Sequence, residues 1–144
     1  MSYFEISESP IDAASLRGQL LGTESGAYAS FEGWVRDRND GRAVQALTYA
    51  SYRALAEAEG ASILAEARTR FGIQQAACAH RVGRLALGEL AVWVGVSAAH
   101  RGPAFDACRW IIDEVKSRVP IWKHEHYVQG GQRWLHPSPQ EAGG

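Results

Sequence analysis

The sequence predicts a single α+β domain, with mainly antiparallel sheet and three helices, and two observations carry that reading. Segments that alternate apolar and polar side chains come in neighbouring pairs joined by short Gly- or Asp-containing turns, as hairpins do. Three segments with apolar residues every three or four positions separate those pairs, without the strict strand-helix alternation of a parallel sheet. The order read is strand, helix, two strands, helix, two strands, helix, two strands. There is no fixed-period repeat and no low-complexity run. At 144 residues the chain can bury roughly 70% of its unfolded surface in one core. Residues 1–135 are assigned to the domain, and residues 136–144, with two prolines and small residues at the end, are expected to be a disordered tail.

Residues 3–6 form a short apolar and aromatic run suited to an edge strand. Ser9-Pro-Ile-Asp12 reads as a helix start, because Ser can cap, Pro fits the first helical position and Asp favours the positive end of the dipole. Leu16 and Leu20 give this helix its apolar face, and Gly22 is placed to end it. From Gly26 to Arg36 the period changes to two, with Ala27, Ala29, Phe31 and Val35 on one side. Gly33, on the same side, suggests a bulge or a close backbone approach. The charged turn from Arg36 to Arg42, with Asp40-Gly41 at its tip, leads to a second strand from Val44 to Tyr49. Its three arginines read either as ordinary solvated surface or as a basic lip over an anion pocket.

Residues 52–71 form a helix with Leu55, Ile63, Leu64, Ala67 and Phe71 on one face. Gly60 weakens its middle by about 1 kcal/mol relative to Ala, and Gly72 ends it. A strand from Ile73 to Val82 finishes in His80-Arg81, which read as surface groups at a strand end. A turn through Leu87-Gly-Glu89 leads to Leu90–Val96, where Leu90, Val92, Val94 and Val96 mark one face as core. A helix then runs to Val119 with Phe105, Cys108, Ile112, Val115 and Val119 as its apolar stripe, and Asp106, Arg109, Asp113 and Lys116 turned away. Pro120 ends it, since proline disfavours a helical residue before it. Ile121–Tyr127 is a strand, and Gly130-Gly131 turns the chain into Gln132–Leu135.

Hydrophobic residues make up 46% of the chain and charged residues 22%, the balance of a soluble globular protein. The formal net charge of −1 gives no global attraction to nucleic acid or to an acidic membrane, so any anion site must be local. The N-terminus has no signal-peptide pattern, and no apolar run approaches the ~20 residues that span a bilayer. A cytoplasmic location is expected. Cys78 and Cys108 stand in no metal-ligand spacing and read as buried free thiols.

The stretch that concentrates chemistry is Lys116-Ser-Arg-Val-Pro-Ile-Trp-Lys123. Lys116 lies in the last turn of a helix, where a solvated cation favoured by the dipole is the ordinary reading. Lys123 lies on the outgoing strand between apolar neighbours and next to a buried-looking Trp122. A lysine near a second cation and apolar walls has its amine pKa pushed down, which makes it a usable base or nucleophile. His100-Arg101 precedes a helix N-terminus, where free amides and a guanidinium suit phosphate or carboxylate. His124 and His126 share one strand face with Glu125 opposite, but no third ligand of fixed spacing supports a metal site. No catalytic triad, P-loop or dinucleotide fingerprint is present, and neither a metal nor another cofactor is expected.

Together these residues identify a resemblance. Phe31-Glu-Gly-Trp-Val-Arg36 with its loop to Gly41, Leu47-Thr-Tyr-Ala-Ser-Tyr52, His80-Arg-Val-Gly83, Gly88-Glu89, Val94-Gly-Val-Ser-Ala-Ala-His-Arg101 and Lys116 to Glu125 occur in the order found in the large, catalytic subunits of molybdopterin synthase. The chain resembles that family from about residue 26 to residue 134. The resemblance implies an α/β hammerhead architecture and a heterotetramer built around a dimer of this chain. The implied activity is sulfur transfer to cyclic pyranopterin monophosphate, forming the molybdopterin dithiolene. The implied donor is the C-terminal Gly-Gly thiocarboxylate of a small ubiquitin-like subunit. Lys116 and Lys123 correspond to the family's catalytic lysines, the first facing the donor tail and the second serving proton transfer and substrate. Arg36, His100 and Arg101 correspond to its anion-binding residues. Two positions depart from the family, which usually has Glu at Ala50 and Met at Leu55. Ala50 motivates the alternative of a non-catalytic anion-binding module on the same fold, and a metal-dependent hydrolase is a distant third. The terminal Gly143-Gly144 is like the donor's own end, but no ubiquitin-like domain precedes it, so the likeness reads as coincidence.

Overall fold

The structure is a computed structural model that describes residues 2–135; residues 136–144, the expected tail, lie outside the described residues. Two sheets meet at a seam. The first has the order β1 (Ser2–Ser7), β5 (Gln75–Arg81), β7 (Leu90–Ala98), β2 (Ala27–Trp34), with β1 parallel to β5 and the other pairs antiparallel. The second has the order β3 (Arg38–Asn39), β4 (Arg42–Ser51), β8 (Ile121–Tyr127), β9 (Gln132–Leu135). A short strand, β6 (Gly83–Ala86), pairs with β4; alternation alone did not reveal it. The α+β reading with mainly antiparallel pairing and three helices holds for the described residues.

Three helices cover the first sheet. On one face α2 (Arg53–Phe71) and α3 (Arg101–Arg118) bury Ile63, Leu64, Ile111 and Val115 against Val92, Val94 and Val96. On the other, α1 (Ala13–Leu20) packs Leu16 and Leu20 against Ala77, Ala79 and Trp93. The sequence marked one face of β7 as core; both are buried, because α1 covers the second. Gly95 makes this possible: a Cβ there would lie 2.3 Å from the Trp93 ring, so the indole lies where a side chain would otherwise stand.

Other expectations shift in detail. Asp12, rather than Ser9, is the N-cap of α1, its carboxylate accepting from the Ser15 N–H at 3.1 Å. A bulge does fall at Gly33/Trp34. Leu55 and Phe105 are 58% and 65% exposed, against the expectation that they face the core. The buried stripes run instead through Ala56, Gly60, Ile63 and Ala67 on α2 and through Ala104, Ala107, Cys108 and Ile111 on α3. Small residues allow close helix-sheet approach, and each misread side chain sits one position, or about 100°, away from that stripe. Both cysteines are free and buried, as expected. Among the described residues no helix is long and apolar enough to cross a membrane.

Candidate active site

At the end of α3 the backbone turns sharply. Val119 is extended (φ −79°, ψ 129°), and the Ile121 N–H donates to the Val119 carbonyl at 2.8 Å across Pro120. Lys116, one turn before the stop, and Lys123, two residues into β8, thereby line one cleft at the seam between the sheets. In register Lys123 stands opposite Tyr49 and Glu125 opposite Leu47. Alternation puts these four side chains on the cleft side of β4 and β8. Trp122 on the other side is half-buried, its ring edge-on to Tyr52 at 5.2 Å.

The opposite wall comes from the end of β2 and the charged loop. Val35 pairs with the turn at 86–89, its N–H donating to the Glu89 carbonyl at 3.0 Å and its carbonyl accepting from Gly88 at 2.7 Å. The next residue, Arg36, lines the cleft beside Arg38 and Asn39. The loop's tip is a turn with two positive φ values, Asp40 at 51° and Gly41 at 76°, which folds β3 onto β4. Of the loop's three arginines, Arg36 and Arg38 line the cleft, whereas the Arg42 guanidinium stacks 3.5 Å from the Tyr127 ring.

Sequence reasoning did not single out the cleft's floor. Glu125 is 2% exposed, and its Oε1 accepts from Asn39 Nδ2 at 3.0 Å and from the Tyr127 hydroxyl at 2.8 Å. Burial, with the Glu125 charge acting in the same direction, pushes the Tyr49 phenol up to about 12, so it stays a neutral donor at pH 7. The enclosed volume is about 50 Å³, below the roughly 300 Å³ at which small-molecule pockets begin. One chain by itself therefore offers a narrow cleft and not a whole small-molecule pocket.

One motif lands where the sequence did not put it. His80 and Arg81 are buried, not surface groups at a strand end. The turn at 82–89 folds back over them, and Arg81 donates to Glu89 Oε2 at 3.0 Å while Glu89 Oε1 accepts from the Ala86 N–H. His124 and His126 do share a face, away from the cleft: His124 stacks on Trp134 at 4.4 Å and His126 Nε2 bonds Thr48 Oγ1 at 2.9 Å. Burial, followed by the charges of Arg84 and His124, lowers the His126 pKa.

A family model described as "MoaE protein" matches residues 6–118. The chain belongs to the MoaE family. The molybdopterin synthase catalytic subunit of Thermoplasma volcanium is 42% identical over 133 residues, which cover 92% of this chain and 97% of that protein. The crystal structure of molybdopterin synthase from Staphylococcus aureus matches with a TM-score of 0.87 at 32% identity, over 92% of this chain and 96% of that one. A chain in the Helicobacter pylori complex of subunits 1 and 2 of molybdopterin-converting factor shares the fold, with a TM-score of 0.73 at 21% identity over 92% and 88% of the two chains.

Of the five residues carried over from the MoaE resemblance, Arg36, Lys116 and Lys123 line the cleft together. His100 and Arg101 do not. They are exposed at the start of α3, Arg101 fifteen and His100 sixteen residues before Lys116, and therefore about 22 Å or more away along the axis. Ala50, the departure from the MoaE pattern, is exposed on the side of β4 away from Leu47 and Tyr49, so a carboxylate missing there leaves the cleft lining intact.

Proposed function

We propose that this chain is the catalytic subunit of a molybdopterin synthase, an enzyme of the sulfurtransferase class. In this reading it moves sulfur from the C-terminal Gly-Gly thiocarboxylate of a small ubiquitin-like subunit to cyclic pyranopterin monophosphate. The observation that carries the reading is the meeting of Lys116, Lys123 and Arg36 in one narrow cleft over a buried carboxylate. Both reactants are anions, and cations held in a partly dry cleft attract them more strongly than they would in water. A tail of two glycines suits a passage this tight, because it brings no side chain.

Per sulfur, the donor's C–S bond breaks and a C–O bond forms, leaving a carboxylate. At the substrate a C–O bond breaks and a C–S bond forms, so no external oxidant or reductant is consumed. Oxygen needs a proton to leave, and a lysine ammonium can supply it. We assign Lys116 to the donor tail and Lys123 to the substrate and proton transfer. His100 and Arg101 fit the same site if a second copy brings the start of its α3 to this cleft, since their own Lys116 is about 22 Å away. That arrangement agrees with a homodimer at the centre of a heterotetramer. The family and the solved complex of the Helicobacter pylori protein of this fold support a small-subunit partner.

The test is product formation from purified chain, thiocarboxylated small subunit and the pyranopterin precursor. Lys116→Ala and Lys123→Ala are each expected to lower kcat by about 100-fold or more while leaving the melting temperature near that of the wild type. Wild-type rates in both variants would overturn the reading.

A further inference from the structure

The His80-Arg-Val-Gly motif has no part in the site so far, yet it puts a titratable group directly behind one of the lysines. On β5 the side chains of Ala76, Cys78 and His80 face the larger core, while Ala77, Ala79 and Arg81 face the opposite side. His80 therefore ends a column leading toward the cleft. Its ring stands edge-on to Tyr49, 4.9 Å between centroids, and Tyr49 lines the cleft itself. His80 and Lys116 also line a gap of about 10 Å³, with Val115, Val119 and Ile121 as its other walls. That space admits one water at most.

The protonation of the ring follows from its partners. Nδ1 lies 2.7 Å from the Arg81 carbonyl, which can only accept, so Nδ1 carries a proton and donates it. Burial, reinforced by the Lys116 charge, pushes the imidazole down to about 4, so it is neutral at pH 7. A neutral ring with its proton on Nδ1 has an unprotonated Nε2, an acceptor without charge.

We propose that His80 is a positioning residue for Lys116, its Nε2 accepting from the ammonium directly or through the single water that the gap can hold. Lysine carries about 2 kcal/mol of rotamer entropy and has no preferred direction for its three N–H donors. One donor fixed from behind orients the other two into the cleft before a ligand arrives. A neutral acceptor does this without cancelling the charge that attracts the anion, as a carboxylate in its place would. The residue acts through Lys116 and touches no reactant, so this inference rests on the catalytic reading of that lysine.

Histidine labelled with ¹⁵N gives a readout that does not depend on activity. In the wild type the His80 resonances should report the Nδ1-protonated tautomer, and Lys116→Ala should move Nε2 toward the position of an acceptor without a partner. An Nε2 resonance unchanged by Lys116→Ala would overturn the proposal. In the sulfur-transfer assay, His80→Phe should lower kcat/KM for the small subunit about 10-fold, and His80→Gln, which returns an acceptor oxygen near Nε2, should recover to within about threefold of wild type. Equal losses in the two variants would mean that only packing matters, and would also overturn it. If the wild type makes no product, the catalytic reading fails, while the NMR comparison still decides the contact; it likewise stands if His80→Phe does not fold.

Discussion

Glu125 and His80 are buried side chains with opposite effects on the protein's tolerance of change. Two donors, Asn39 and Tyr127, converge on one oxygen of Glu125. Glu125→Ala removes the oxygen to which both donate and is expected to cost about 2–4 kcal/mol in urea unfolding, whereas Glu125→Gln keeps a carbonyl oxygen there and should cost less than half as much. His80 links stability to pH. Its pKa is about 4 in the folded chain against 6.5 in the unfolded one, so the unfolded state binds more protons between those values. The stabilisation is complete above pH 6.5 and is lost as pH falls toward 4, by roughly 3 kcal/mol in all. Glu66 and Glu89 have their pKa values lowered, Glu66 first by its hydrogen bond from Arg118 and Glu89 first by the Ala86 N–H, so they act in a lower window. Unfolding of the wild type and of His80→Gln measured from pH 7 to pH 4 should converge as the pH drops. At this scale the approach of Lys116 to Lys123 was legible, because a helix stop and a strand put both at predictable places, whereas Arg36 joined them only through the resemblance and one of two readings of its loop. His80 was not, since a histidine at the end of a strand looks the same in sequence whether the following turn leaves it bare or folds over it.

Between elements, the packing of α2 on β1 depends on an absent side chain. Gly60 reads in the sequence as a weak point of a helix, but a Cβ there would lie 2.3 Å from the Phe4 ring. Gly60→Ala improves helix propensity by about 1 kcal/mol, yet forces the ring and strand apart at about 1–3 kcal/mol, so a net loss of stability is expected. Adding Phe4→Ala should make the pair non-additive, with Gly60→Ala costing less once the Phe4 ring has been removed than in its presence. The same close approach explains the misread stripes of α2 and α3. Where alanine and glycine form the buried face, a search for large apolar residues finds the neighbouring Leu55 and Phe105 instead. Strand periodicity was more reliable: the alternation of β4 and β8 carries directly into the cleft. The four-residue β6 is too short for a period to show.

For the whole molecule, the α+β class was readable from paired strands and interleaved helices, but the division into two sheets was not, because it depends on which distant strands pair. The proposed sharing of the site between two copies would extend this dependence to a second chain. If the start of one α3 completes the cleft of another copy, inactive Lys123→Ala and Arg101→Ala chains should complement each other. Half of the randomly mixed dimers would be hybrids with one intact site of two, so about a quarter of wild-type activity is expected after unfolding and remixing. A mixture as inactive as its components would rule out a site shared in this way.

The antiparallel register between β4 and β8 has a further consequence for synthesis. It joins residues 44–51 to residues 121–127, so the Lys123 wall of the cleft meets Tyr49 only when nearly all of the described chain is available. Contacts this distant in sequence form slowly, since the intervening loop must close first. Until residue 127 has left the ribosome the Tyr49 and Lys123 walls of the cleft cannot be joined, so the cleft is among the last features of the described chain to form.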